Sequence, residues 1–178
     1  MIEIARQLLA THGLGPELEQ VLASVLDSCF LHLAEQGDVI CKEGAPPRDV
    51  YFLLEGQVLV RMRDYLGVEK DLAVLHGPSM FGHMGMIDRS PRSASCIAST
   101  DVRLAILGRE LYTNLVEDIG PAGDMFRRLL LSAMNRQLTT GNSALKRLFD
   151  RAKGGQAEPS TRDLDKVSGM LEGWHPRD

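Results

Sequence analysis

Between residues 57 and 63, Val58, Val60 and Met62 alternate with Gln57, Leu59, Arg61 and Arg63. A period of two with one apolar face marks a half-buried strand. The same alternation returns in Ala94, Cys96 and Ala98, and again in Val102, Leu104 and Ile106 after the turn residues Ser99-Thr100-Asp101. Short strands separated by turn residues predict a mostly β chain, a jelly roll or barrel of about eight strands with flanking helices. Glu55-Gly56 predicts a tight hairpin, because glycine reaches positive φ without steric cost.

On either side the period lengthens to that of a helix. Ile4, Leu8 and Leu9 form one short stripe, and Leu18, Val21, Leu22 and Leu26 form a second after Gly15-Pro16. Beyond the strands, residues 108–119 read as a short helix closed by Gly120-Pro121. Met125, Leu129, Leu130, Met134, Leu138, Leu145 and Leu148 then support a long helix, weakened at the poor helix formers Gly141-Asn142, where a break, in the form of a kink, is expected. The expected organisation is an N-terminal helical segment over 1–28, a barrel over 29–107, helices over 108–152 and a flexible tail over 153–178 that starts with a Gly/Pro linker. Within that tail Leu164, Val167, Leu171 and Trp174 share one helical face, which predicts a short amphipathic helix able to dock on the barrel or on a partner.

Composition fits one globular domain, with 44% hydrophobic and 25% charged residues in 178. No run of about eighteen apolar residues occurs, and the start Met1-Ile2-Glu3-Ile4 lacks a signal-peptide layout, so a cytoplasmic protein with no membrane contact is expected. Cys29, Cys41 and Cys96 fall in predicted strands at no metal or redox spacing, and they read as buried small hydrophobes. His12, His32, His76, His83 and His175 lack the clustering of a metal site, which excludes a cupin-type metalloenzyme; no catalytic residue, metal or cofactor is expected. Although the chain is net −4, residues 121–153 hold seven basic side chains against two acidic, read here as a solvated helix face. Only 27 residues follow Arg151, fewer than a helix-turn-helix module needs, so no DNA binding is expected.

The densest chemistry lies in Phe81-Gly82-His83-Met84-Gly85-Met86-Ile87-Asp88-Arg89-Ser90-Pro91-Arg92-Ser93-Ala94-Ser95. A glycine opens a short helix, and ten residues later an arginine precedes a strand. Free N–H groups at a helix start together with a guanidinium fork suit an anion. A surface ion pair from Arg92 to Asp88 is the plainer use of the same residues. In its ordered spacing this run resembles the phosphate-binding cassette of cyclic nucleotide-binding domains. The resemblance extends upstream through Gly37-Asp38-Val39-Ile40, Glu43-Gly44 and the stretch from Asp49 to Val60, and covers about residues 15 to 150.

That resemblance implies a stand-alone domain akin to the effector domain of the catabolite activator superfamily, binding cyclic AMP or cyclic GMP. It places Gly82, Gly85, Arg92 and Ser93 at the cyclic phosphate. At His83 the family carries a glutamate that accepts the ribose 2′-hydroxyl; a neutral imidazole can accept the same bond with one nitrogen. Thr139 and Thr140 occupy the helical stretch that meets the base in dimeric members, where the corresponding helix also seals a homodimer. The implied function is a sensor that signals through its long helix to an unidentified effector protein. The alternative is a degenerate barrel that binds no nucleotide and serves as a protein-interaction adaptor.

Overall fold

The structure is a computed structural model that describes residues 1–153. Two helices lead in, α1 (Ile2–Thr11) and α2 (Glu19–Asp27), joined through a short 3-10 turn over Pro16–Leu18. The strands follow as β1 (Phe30–Ala34), β2 (Val39–Cys41), β3 (Asp49–Glu55), β4 (Gln57–Arg63), β5 (Glu69–His76) and β6 (Ser79–Phe81). After the six-residue α3 (His83–Asp88) come β7 (Ser95–Ala98) and β8 (Val102–Gly108), then α4 (Arg109–Glu117) and α5 (Pro121–Lys153). The eight strands form two antiparallel four-stranded sheets, ordered β1-β8-β3-β6 and β2-β7-β4-β5. This is the jelly-roll barrel with flanking helices that the alternation predicted.

Two cores lie among the described residues. One lies under the helices, where Leu8, Leu9, Leu22 and Leu26 meet Met125, Phe126 and Leu129 of α5. The other fills the barrel with Leu53, Val58, Phe81, Ala98 and Leu104. Strand β3 serves both. Val50, Phe52 and Leu54 face the helical core, whereas Tyr51 and Leu53 face the barrel. A strand buried on both faces carries a near-continuous apolar run, which is why Val50 to Leu54 shows no alternation.

Three expectations need correction. Glu55-Gly56 is not a hairpin: β3 and β4 lie in different sheets, and Gly56 (φ +91°) turns the corner so close to the neighbouring loop that a Cβ would sit 2.4 Å from the Asp101 carbonyl oxygen. The long helix does not break at Gly141-Asn142 but runs without interruption over Pro121–Lys153. Cys29 lies between α2 and β1 rather than in a strand, its thiol donating to the Val25 carbonyl at 3.3 Å. The amphipathic segment expected at Leu164 to Trp174 falls outside the described residues. No helix among the described residues is long and apolar enough to cross a membrane.

Candidate functional site

Strand β6 ends at Phe81 and the chain must then turn sharply into α3. Gly82 does so at φ +76°, and a Cβ there would lie 2.8 Å from Arg92 Nη1 and 3.1 Å from the Tyr51 ring. The position requires glycine for its dihedral and for its space. Gly85 is needed for packing, since a Cβ would approach the Ser90 carbonyl oxygen to 2.9 Å and Pro47 to 3.0 Å. Helix α3 ends where Arg89 adopts φ 62°, and Asp88 Oδ1 then accepts both the Ser90 N–H (2.9 Å) and its hydroxyl (2.6 Å). Further on, the Arg92 N–H donates to the Ala45 carbonyl at 2.9 Å and its own carbonyl accepts the Gly44 N–H at 2.8 Å. The cassette is thereby pinned to the loop between β2 and β3.

Arg92 is buried, with only 7% of its surface exposed. Nη1 donates to the Gly82 carbonyl at 2.6 Å and Nη2 to the Asp49 carbonyl at 2.7 Å. The guanidinium lies 5.4 Å from the centre of the Tyr51 ring, which stacks on Phe81 at 5.0 Å. Burial pushes the Tyr51 hydroxyl up to about 12, with the Arg92 charge opposing. No carboxylate lies within ion-pair distance of Arg92 among the described residues, and Asp88 is engaged with Ser90 instead. Carbonyl dipoles orient this cation without neutralising it. A buried cation held by carbonyls rather than by a carboxylate suits an anion.

Beside the cassette opens a cavity of about 380 Å³. Gly82, His83, Gly85, Arg92 and Ser93 all line it, as does the barrel wall at Cys41, Val60, Leu75 and Cys96. Two further elements close over it. From α5 come Ala133, Arg136 and Gln137, and from the end of α1 come Thr11 and His12. The two helices are tied together there, for Arg136 donates to the Thr11 carbonyl and the Ser132 hydroxyl to the His12 carbonyl at 2.7 Å.

Among the described residues, the buried polar side-chain atoms without a partner collect on this one cavity. They are Nδ1 of His12, the hydroxyl of Ser79 and both ring nitrogens of His83, and all three residues line it. Burial, reinforced by His12, holds the His83 imidazole down to about 4, so it is neutral near pH 7 and offers one N–H and one lone pair. Burial also lowers His12, with Arg136 acting in the same direction. Unpartnered buried groups are costly, so their clustering on a single cavity marks a place built to be filled by a polar molecule.

Thr139 and Thr140 do not join the others. Their hydroxyls bond back to the Asn135 and Arg136 carbonyls, each at 2.8 Å, and both side chains are exposed outside the cavity. The contribution of α5 comes about one turn earlier, from Arg136 and Gln137. Sequence reasoning missed His12, Ser79, Tyr51 and Arg136, which reach the site from four separate elements and carry no common spacing. It also missed that Cys41 and Cys96, 55 positions apart, are direct partners across β2 and β7.

Residues 31–118 match the family model described as cyclic nucleotide-binding domain. A cAMP-dependent protein kinase regulatory subunit of Aspergillus fumigatus is 36% identical over 97 residues, 54% of this chain and 22% of that protein. The cyclic AMP receptor protein of Thermus thermophilus is 33% identical over 105 residues, 59% of this chain and 47% of that one. The chain thus spans between about a fifth and a half the length of these curated relatives. A solved cyclic nucleotide-binding domain from Methylobacillus flagellatus superposes with a TM-score of 0.61 at 26% identity, covering 75% of this chain and 74% of that one.

Proposed function

We propose, from the premise that this chain belongs through residues 31–118 to the cyclic nucleotide-binding domain family, that its cavity binds a cyclic mononucleotide and that α5 passes the binding event to an effector protein. The observation that carries this reading is the buried Arg92 with no carboxylate beside it among the described residues, on a cavity where the unpartnered polar atoms of His12, Ser79 and His83 collect. The cyclic phosphate would lie against the Arg92 guanidinium, the main-chain amides of the Gly82–Gly85 segment and Ser93. His83 would take the ribose 2′-hydroxyl, accepting its proton with the one unprotonated ring nitrogen. Arg136 and Gln137, rather than Thr139 and Thr140, would meet the base. Cyclic AMP is the first ligand to test and cyclic GMP the second. The role is regulatory and non-catalytic, with output to a protein rather than to DNA.

Leu131, Met134, Leu138 and Leu145 follow a 3, 4, 7 spacing along α5, and Leu131 and Leu138 are 66% and 64% exposed. An apolar seam at heptad spacing suits a second copy of the helix, so we read the protein as a homodimer through α5. The second reading, an adaptor that binds no nucleotide, is favoured by the replacement of the family's glutamate by His83.

Calorimetric titration with cyclic AMP and cyclic GMP up to millimolar concentration separates the two. Saturable binding that disappears in Arg92→Ala is expected. Heats indistinguishable from dilution for both nucleotides would leave the adaptor standing.

A further inference from the structure

The thiols of Cys41 and Cys96 have no part in the nucleotide reading, yet they lie on the wall of the same cavity. A bulge at Ile40 places the two residues directly opposite each other on antiparallel strands. Directly opposed Cβ atoms on antiparallel strands are about 4.5–5.5 Å apart, and a disulfide needs about 3.5–4.5 Å, so only a small adjustment separates the pair from bonding. Both residues line the cavity, so the two side chains leave their strands toward the same space. Neither cysteine is bonded to any other, and Cys29 lies apart in the helical core.

We propose that Cys41 and Cys96 are a redox modification site, closed to a disulfide by hydroperoxides, and that closure strengthens anion binding at Arg92. The second half rests on the nucleotide reading; the first does not.

The Cys96 hydrogen bond holds the Cys41 thiol below its ordinary range, with the Arg92 charge acting in the same direction against burial, while Cys96 is pushed up. Cys41 is therefore the attacking sulfur. Its thiolate attacks one oxygen of the hydroperoxide, the O–O bond breaks, and the departing alkoxide or hydroxide takes a proton to leave as an alcohol or water. Cys41 is now a sulfenic acid. With the negative charge on Cys41 gone, the pressure that held the Cys96 proton in place is relieved. Cys96 gives up its proton and attacks the sulfenic sulfur, the S–OH bond breaks, and the hydroxide leaves as water with that proton. Two thiols and one hydroperoxide thus yield one disulfide, one alcohol or water, and one further water. Two electrons pass from sulfur to oxygen.

The consequence for the cavity is electrostatic. A thiolate at Cys41 shares the Arg92 field with any incoming anion, and a disulfide carries no charge. Closure also ties β2 to β7, the strand that leaves the cassette.

The whole protein is treated with hydrogen peroxide at pH 8, digested without reductant and mapped by mass spectrometry, with thiol titration in parallel. We expect one Cys41–Cys96 cross-linked peptide and the loss of two of the three thiols, reversed by dithiothreitol and unchanged in Cys29→Ser. Cyclic AMP should then bind several-fold more tightly to oxidised than to reduced wild type, with no response to peroxide in Cys41→Ser. A wild-type protein that keeps three titratable thiols, or is oxidised only to sulfinic acid, overturns the redox site. A cross-link that leaves nucleotide affinity unchanged overturns the coupling to Arg92. A cross-link in a protein that binds no nucleotide in either state upholds the redox site and sinks the nucleotide reading instead.

Discussion

Arg92 does two jobs at once, holding the Gly82 and Asp49 carbonyls and keeping a positive charge at the cavity. Arg92→Ala should abolish nucleotide binding and also lower stability by about 2 kcal/mol, since two carbonyls lose charge-assisted donors while the desolvation cost of the cation is recovered. Chemical denaturation of the variant reads the second effect apart from the first. His83 gives a pH signature. Its folded value of about 4 lies below the ordinary 6.5, so the stability it contributes is whole above pH 6.5 and is lost as the pH falls toward 4. The loss amounts to about 3 kcal/mol in the unfolding free energy extrapolated from urea denaturation, and His12 adds to it in the same sense. His83→Gln should flatten this profile. His83→Glu should destabilise the free protein, by burying a carboxylate, and tighten cyclic AMP by roughly ten-fold. At this scale the sequence was legible where chemistry is local. Gly82, His83, Arg92 and Ser93 sit within twelve consecutive residues, whereas His12, Ser79 and Arg136 are joined to them only by folding.

The elbow between α4 and α5 depends on one carboxylate. Asp118 accepts the Gly120 and Gly123 N–H groups at 2.9 and 2.8 Å, and these bonds hold its carboxyl below the usual range. Gly123 is packed so tightly there that a Cβ would lie 2.0 Å from the Asp118 carbonyl oxygen. Gly123→Ala should cost about 1–3 kcal/mol in thermal or urea unfolding, because the backbone of the elbow has to move. For α5 itself, sedimentation of wild type should show a dimer, and Leu131→Glu combined with Leu138→Glu a monomer of unchanged barrel. Strands with one wet face, such as β4, were readable from their alternation. The Glu55-Gly56 corner was misread because positive φ at a glycine identifies a turn without saying whether the next strand stays in the same sheet. The break expected at Gly141-Asn142 is absent for a different reason: a cost of about 1 kcal/mol for one glycine does not interrupt a helix that continues on both sides.

Across the whole molecule, the cavity is assembled from parts that meet nowhere else in the sequence: the barrel wall, the cassette, the end of α1 and the middle of α5. The Ser132 and Arg136 bonds to α1 make the closure a joint act of both helices. A bound nucleotide should therefore slow amide hydrogen exchange in residues 8–12 as well as in the cassette, and Ser132→Ala should weaken that protection in α1 without removing it from the cassette. The outline of this architecture was legible from periodicity together with one recognisable run. Its closure was not, since no pattern in the chain records that residue 12 will stand beside residue 83.

Strand β3 separates the two cores and is one residue thick. Val50, Phe52 and Leu54 press on the helices while Tyr51, between the first two, lies beneath the Arg92 guanidinium. The Tyr51 ring and the side chains under the helices are thus carried by one short ribbon. If the proposed signal passes from barrel to helices, it has no distance to cross on this strand: the two faces are alternate letters of one word.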